Sequence, residues 1–246
     1  MPDLNGSLTL GQPAVRPGVR TSVFIAMSVA ALGLTACHDG STTAPLTPTS
    51  VTVLSGGSQS GTVGAALATP VVLQVNDQNG KAMVGVAVTV TAGTASGSVP
   101  AAQLTTDANG QVTTTWTLGT VAGTDTLNVQ AGSLSAVQVL ATASADAAAN
   151  ISVTAGDQQT GAVGSVLTTP LTVKVVDQYG NAVPNVTVTF SDDASGSLAA
   201  TTVTTDAFGI AVDSLTLGPN AGVDDVTASI DTATGTVTTT LHETAS

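Results

Sequence analysis

Along residues 171–190, Leu171, Val173 and Val175 alternate with Thr172 and Lys174, and Val186, Val188 and Phe190 alternate with Thr187 and Thr189. A period of two places successive side chains on opposite faces of a strand, whereas a helix would repeat its apolar positions every three to four residues. The same alternation runs through Leu127, Val129 and Ala131, through Val137 and Val139, and through Val226, Ala228 and Ile230. Between these runs stand Asp77-Gln78-Asn79-Gly80, Asp107-Ala108-Asn109-Gly110, Asp177-Gln178-Tyr179-Gly180 and Asp206-Ala207-Phe208-Gly209. In such stretches the aspartate accepts a hydrogen bond from the backbone two residues on, and the glycine takes a positive φ. Short alternating strands separated by turns, about seven in each hundred residues, predict an all-β chain built as a β-sandwich.

The pattern occurs twice. Residues 61–90 align with 161–190 without a gap, with 14 of 30 positions identical, and residues 96–119 align with 195–218 with 12 of 24 identical. Two copies of one domain follow, at residues 51–145 and 150–246, joined by the short stretch SADAAAN at 144–150. Residues 41–50, STTAPLTPTS, are rich in Ser, Thr and Pro, a composition that stays extended and solvated, so 37–50 reads as a tether.

The one helix-like segment precedes that tether. Residues 23–34 (VFIAMSVAALGL) are apolar and follow Arg16 and Arg20. This is the order of an exported, cleaved signal, and the run is shorter than the ~20 residues a membrane-spanning helix needs. It ends in Leu34-Thr35-Ala36-Cys37, which resembles the lipobox of bacterial lipoproteins, where cleavage before the cysteine accompanies lipid attachment to its sulfur. Cys37 is the only cysteine, so it can close no internal disulfide. Residues 1–36 are thus expected to be a lipoprotein signal peptide, and lipidated Cys37 the membrane anchor.

With residues 1–36 removed, Lys81 and Lys174 face fifteen acidic residues, every one but Asp3, for a net charge of about −13. Phosphate backbones are bound by clustered Lys and Arg, so nucleic acid is not an expected partner. Nucleophilic catalysis needs a base beside a Ser or Cys, yet the only histidines are His38, next to the anchor, and His242, near the C-terminus. No phosphate loop, paired metal-spaced histidines or GxSxG arrangement is present. The chain is not expected to be an enzyme or to need a cofactor.

Three features admit two readings. The acidic turns, with Asp192-Asp193 and Asp224-Asp225, supply the oxygens calcium takes, but their spacing matches no EF-hand, and turn chemistry is favoured over a metal. Asp213 falls in the inward register of Ala211, Leu215 and Leu217, where the first copy has Thr114; either a bulge turns it outward or a partner meets its carboxylate, and the bulge is favoured. Trp116 could stack on a sugar from an exposed position, but its register with Val112 and Leu118 points it into the core.

In order, VVDQYGNAVPNVTVTF, SGSL, TTDAFG and a threonine-rich strand resemble the bacterial immunoglobulin-like group 1 domain of the invasin and intimin adhesins. The resemblance implies two tandem immunoglobulin-like β-sandwich domains and a surface stalk or adhesive module. The first copy departs from it at Val84 and Gly85, where the second has Pro184 and Asn185. Loops at the ends of a sandwich are free of ladder duties. Residues 191–195 and 219–225, with Asp192, Asp193, Asn220, Asp224 and Asp225, are therefore the candidate contacts for a protein or glycan ligand. A carbohydrate-binding module is the alternative function, and a row of exposed aromatics would favour it.

Overall fold

The computed structural model describes residues 45–193 and 196–246. The expected signal peptide, Leu34, Thr35, Ala36 and Cys37 lie outside the described residues.

The first copy folds into β1 (Pro48–Ser55), β2 (Gln59–Thr62), β3 (Val71–Asp77), β4 (Ala87–Ala92), β5 (Gln103–Thr105), β6 (Gln111–Thr114), β7 (Gly123–Ala131) and β8 (Val137–Ser144). The second contains β9 (Asn150–Ala155), β10 (Thr160–Gly161), β11 (Leu171–Val176), β12 (Thr187–Asp192), β13 (Ser197–Leu198), β14 (Thr202–Thr204), β15 (Ile210–Asp213), β16 (Leu215–Thr216), β17 (Gly222–Thr232) and β18 (Gly235–Ala245). A three-stranded sheet, β1-β3-β6, faces a five-stranded one, β2-β8-β7-β4-β5. The second copy repeats this as β15-β11-β9 and β10-β18-β17-β12-β14, with β13 and β16 forming an extra pair. The pairings are antiparallel except β2 with β8 and β10 with β18, where a short strand runs parallel along the sheet edge. Because β1 begins at Pro48, two of the last three residues of the Ser/Thr/Pro-rich stretch are already paired, Pro48 opposite Asp77 and Ser50 opposite Asn76.

Each sandwich has its own apolar core. Val71, Leu73 and Val75 of β3 meet Val88, Val90, Leu127 and Val129 in the first; Leu171, Val173 and Val175 meet Val188, Phe190, Val226, Ala228 and Ile230 in the second. Inward residues alternate with exposed or half-buried ones along these strands, as the period of two requires. Trp116 is 1% exposed, and its indole N–H donates to Ser96 O at 2.8 Å, so it fills the core with its one polar atom satisfied.

Asp213 corrects an expectation. It does not bulge outward: β15 stays in register with β11, Leu171 opposite Asp213, and the side chain is buried. Its Oδ1 accepts from the Ala200 N–H at 3.1 Å. This backbone donor compensates one carboxylate oxygen, while Oδ2 is buried without a hydrogen-bond partner.

The four aspartate turns form alike. Oδ1 of Asp77, Asp107, Asp177 and Asp206 each accepts two backbone N–H bonds, from the residues two and four positions on, at 2.8–3.0 Å. The glycine of each turn has a positive φ, +87° at Gly180, which a side chain would strain. The N–H of Lys81 is the main cause holding Asp77 below the usual carboxylate range, and those of Gln111 and Asn109 do the same for Asp107.

Candidate functional site

The corresponding turns of the two copies meet different neighbours. In the first, Gln78 Oε1 accepts from the Thr47 N–H at 3.0 Å, and Thr49 donates its hydroxyl to Asp77 O at 2.7 Å, so the entering chain is tied to the turn. In the second, the turn at 177–181 is tied both to the linking residues and to the first sandwich. Asp146 donates its N–H to Asp177 Oδ2 at 3.0 Å and accepts from the Gln178 amide at 2.8 Å. Asn181 donates to Thr120 O at 2.9 Å and accepts from the Ala122 N–H at 2.8 Å. Tyr179 lies against Gly64, where φ is +71° and an added Cβ would stand 2.9 Å from the tyrosine hydroxyl. A side chain at Gly64 would strain the backbone and displace the ring. Burial pushes Asp177 upward, but the Asn181 amide and the N–H groups of Asp146, Asn181 and Tyr179 together hold its carboxyl below the ordinary value.

At the far end of each sandwich a buried aspartate closes a loop. Asp125 Oδ2 accepts from the Gly119 N–H at 2.7 Å, and Asp224 Oδ2 accepts from the Gly218 N–H at 2.9 Å. Around this shared feature the copies diverge. The Thr126 N–H of the first donates to the Ser96 hydroxyl at 3.0 Å; the matching Asp225 N–H donates to Asp193 Oδ1 at 3.0 Å. Asp225 Oδ1 meets His242 Nδ1 at 2.9 Å, and the His242 N–H donates to Asp157 at 2.8 Å. The hydrogen bond to Asp225 raises the histidine above its usual pKa. Glu243, opposite Asp224 in the β17–β18 ladder, is 1% exposed and accepts from the Gln159 N–H at 2.7 Å. Burial is the chief cause lifting its carboxyl to about 7, with Asp157 and Asp224 adding repulsion.

The candidate ligand contacts therefore separate. Asn220 is exposed in the loop and Asp193 is exposed beyond β12. Asp192 ends β12 and Asp225 lies on β17, both half-buried. Asp224 is corrected as a surface contact: it is a strand residue, 1% exposed, engaged in closing the loop. The signal for this was in the alternation, since Asp224 extends the inward set Val226, Ala228, Ile230 by one step, as Asp125 extends Leu127, Val129, Ala131. Glu243 was missed altogether, although it shares the inward register of Leu241 and Ala245.

The aromatics form no row on a sheet face among the described residues. Trp116 and Phe190 are core, Tyr179 stands against Gly64, and Phe208 is exposed on a turn. One surface depression is lined by residues 146–149, Gln178 and residues 232–234, all without aromatic rings.

Solved structures share this architecture. InvD of Yersinia pseudotuberculosis matches over 76% of the chain at 20% identity, with a TM-score of 0.51. The two sandwiches have the fold of invasin-type immunoglobulin-like domains. The adhesin InvE of the same organism (22% identity, 81% of the chain, TM-score 0.38) and the Escherichia coli adhesin FdeC (22%, 81%, 0.44) also match. The chain spans 60% of the InvE structure, 55% of the InvD structure and 66% of the FdeC structure. No protein-family model and no curated protein matches the sequence. The likeness is one of fold; the carboxylates at the end of the second sandwich are differences from the first.

Proposed function

We propose that the chain is a non-enzymatic, exported surface protein, anchored by lipid at Cys37, whose two sandwiches form a stalk segment that holds an interaction site away from the membrane. The observation that supports this best is the joint at 177–181. A stalk transmits position only if its domains are fixed to one another, and here Asn181 hydrogen-bonds Thr120 and Ala122 of the first sandwich, Tyr179 lies against Gly64, and Asp177 accepts from the linking residue Asp146. The fold shared with InvD is compatible with that use but does not assign it, because one sandwich fold serves many functions. The acidic surface, about −13 in charge, favours solubility and repulsion from anionic lipid, more strongly at low salt.

Two measurements on bacterial cells producing the full chain test the reading. Metabolic labelling with a fatty-acid analogue should mark the wild type and not Cys37→Ala, and protease added to intact cells should digest the wild type. A mature N-terminus without lipid removes the anchor. Protection of the chain until the outer envelope is permeabilised removes the surface role.

A further inference from the structure

Asp224 and Glu243 are directly opposed in the β17–β18 ladder, and each is 1% exposed. Opposed residues of an antiparallel pair project from one face of the sheet, with Cβ atoms about 4.5–5.5 Å apart. Each side chain has one oxygen on a backbone donor: Asp224 Oδ2 takes the Gly218 N–H, and Glu243 Oε2 takes the Gln159 N–H. The remaining oxygens, Asp224 Oδ1 and Glu243 Oε1, are both buried and without a donor. Two facing anions would repel each other while desolvated, whereas one proton makes one oxygen a donor to the other. The surroundings favour keeping that proton. From β12, Asp192 and Asp193 each bring a carboxylate oxygen within 4.8 Å of one on Asp224. From the segment before β10, Asp157 accepts from the His242 N–H, and on the other face of the ladder Asp225 and the exposed His242 ring meet at 2.9 Å. Over Asp224, a Cβ built on Gly196 would stand 3.1 Å from both Asp224 Oδ2 and a Leu215 methyl, so backbone and an apolar side chain close that side. The lysines lie elsewhere, Lys81 in a turn of the first sandwich and Lys174 on β11 in the opposite sheet.

The first sandwich is the internal control. There the residue opposite Asp125 is Ala141, and Asp125 closes its loop with no second carboxyl across the ladder. The edge strand differs as well: β2 pairs with β8 over Gln59–Thr62, while β10 pairs with β18 only over Thr160–Gly161. Just before that shortened pairing, the Gln159 N–H goes to the Glu243 side chain, between the bonds from Gln158 N–H to His242 O and from Thr244 N–H to Gln159 O, both at 2.9 Å. The carboxyl of Glu243 thus fastens the edge segment as well as facing Asp224.

From this geometry we infer that Asp224 and Glu243 hold one proton between Oδ1 and Oε1, and that this proton clasps the edge segment 157–161 to the end of the second sandwich, a pH-operated fastening that the first sandwich does not have. While the proton is present, Glu243 is neutral, donates to Asp224 and carries the Gln159 N–H on its other oxygen. Glu243 is the member lifted to about 7. As pH rises through that value the proton passes to solvent and two buried anions face each other. The glutamate has the longer stem and lies beside the sheet edge, so it turns out to water and releases Gln159. The fastening stands independently of whether the chain is a surface stalk.

The test uses the soluble chain beginning at residue 38. Carboxyl-detected NMR on isotope-labelled protein follows Glu243, and amide hydrogen exchange, corrected for its base-catalysed intrinsic rate, follows the edge. Protection of the Gln158 and Gln159 N–H groups should fall about ten-fold or more between about pH 5.5 and about pH 8. Protection of Ser58, whose N–H bonds Leu140 O as that of Gln158 bonds His242 O, should not change. Glu243→Gln gives Asp224 Oδ1 a permanent donor and keeps an acceptor for Gln159, so its edge should stay protected across that range. Asp224→Asn sets an amide donor against Glu243 Oε1 and should lower the Glu243 titration by at least about one pH unit. A wild-type Glu243 that titrates in the ordinary glutamate range overturns the inference. So does a raised titration that Asp224→Asn leaves in place, since that is the behaviour of burial alone. A loss of protection that persists undiminished in Glu243→Gln assigns the opening to His242 and overturns it too.

Discussion

The two sandwiches share strand order, turn chemistry and a buried aspartate that closes one end loop, yet around that aspartate the residues are neutral in one and largely ionisable in the other. Gly57, Ala92, Gly93, Thr126, Leu140 and Ala141 of the first correspond to Asp157, Asp192, Asp193, Asp225, His242 and Glu243 of the second. What stays constant is a set of backbone donors that must be met. The N–H of Thr126 finds a serine hydroxyl; that of Asp225 finds an aspartate. Ladder ends demand acceptors and accept several chemistries for them. The surplus of carboxylate in the second copy is thus not a requirement of the fold, and the comparison separates what the sandwich needs from what this end has added.

The largest effect that can test the independence of the copies comes from the cores. Trp116→Ala empties the biggest buried side chain of the first sandwich and should cost it about 3–5 kcal/mol; Leu215→Ala, at the matching position, should cost the second about 2–5 kcal/mol. Trp116 is the only tryptophan, so its fluorescence in a urea titration follows the first sandwich alone. Leu215→Ala should leave the fluorescence midpoint within a few tenths molar of wild type while moving the circular dichroism transition of the second. A fluorescence midpoint that falls with Leu215→Ala would mean that the two cores unfold as one unit.

The second test is pH. Glu243 carries a carboxyl raised from 4.5 to about 7, so the folded state holds its proton more tightly than the unfolded state does. Between those values unfolding releases the proton, and stability falls as pH rises from about 4.5 through about 7, levelling off above. His242, raised by Asp225, acts in the same direction: its stabilisation is present while it is protonated and is lost as pH passes its raised pKa. The second sandwich should weaken between pH 5 and 7.5 and the first should not, since Ala141 and Leu140 hold these places there. Glu243→Gln should flatten most of that slope. An equal slope in the first sandwich would break the comparison.

Much of this architecture was legible in the chain. Strands came from the period of two, and the turns from aspartate and glycine at fixed spacing, because both depend on residues within four positions of one another. Trp116 was legible for the same reason. Asp213 was not, because its compensating donor is Ala200, thirteen residues earlier on a segment that only the folded sandwich brings close. The carboxylate group at the end of the second copy unites Asp192 with Asp224 across the β12–β17 pairing, where Asp192 faces Val226. Alternation could place Asp224 inward, but register between strands had to decide what it met there.

The smallest expected effect concerns the joint, and it distinguishes a fixed pair from two tethered domains. Asn181 corresponds to Lys81 in the first copy, and Tyr179 to Asn79, so the residues that touch the neighbouring sandwich are those that differ between otherwise equivalent turns. Asn181→Ala deletes the bonds to Thr120 O and from the Ala122 N–H, and one of several donors to Asp177. The bonds to Thr120 and Ala122 are solvent-exposed, where a hydrogen bond contributes about 0.5–1.5 kcal/mol net, so each sandwich should lose about 1 kcal/mol or less. Asp177 keeps the N–H groups of Tyr179, Asp146 and residue 181, and the turn itself should persist. The change should appear instead in motion. NMR relaxation on the soluble chain should report one common tumbling time for the two wild-type sandwiches and separate, shorter ones for Asn181→Ala combined with Tyr179→Ala. Separate tumbling already in the wild type would show that these contacts do not hold the joint and would remove the support they give to a stalk. Common tumbling that survives the double variant would shift that role to Asp146, whose backbone and side chain bond Asp177 and Gln178, making Asp146→Ala the variant that releases the pair.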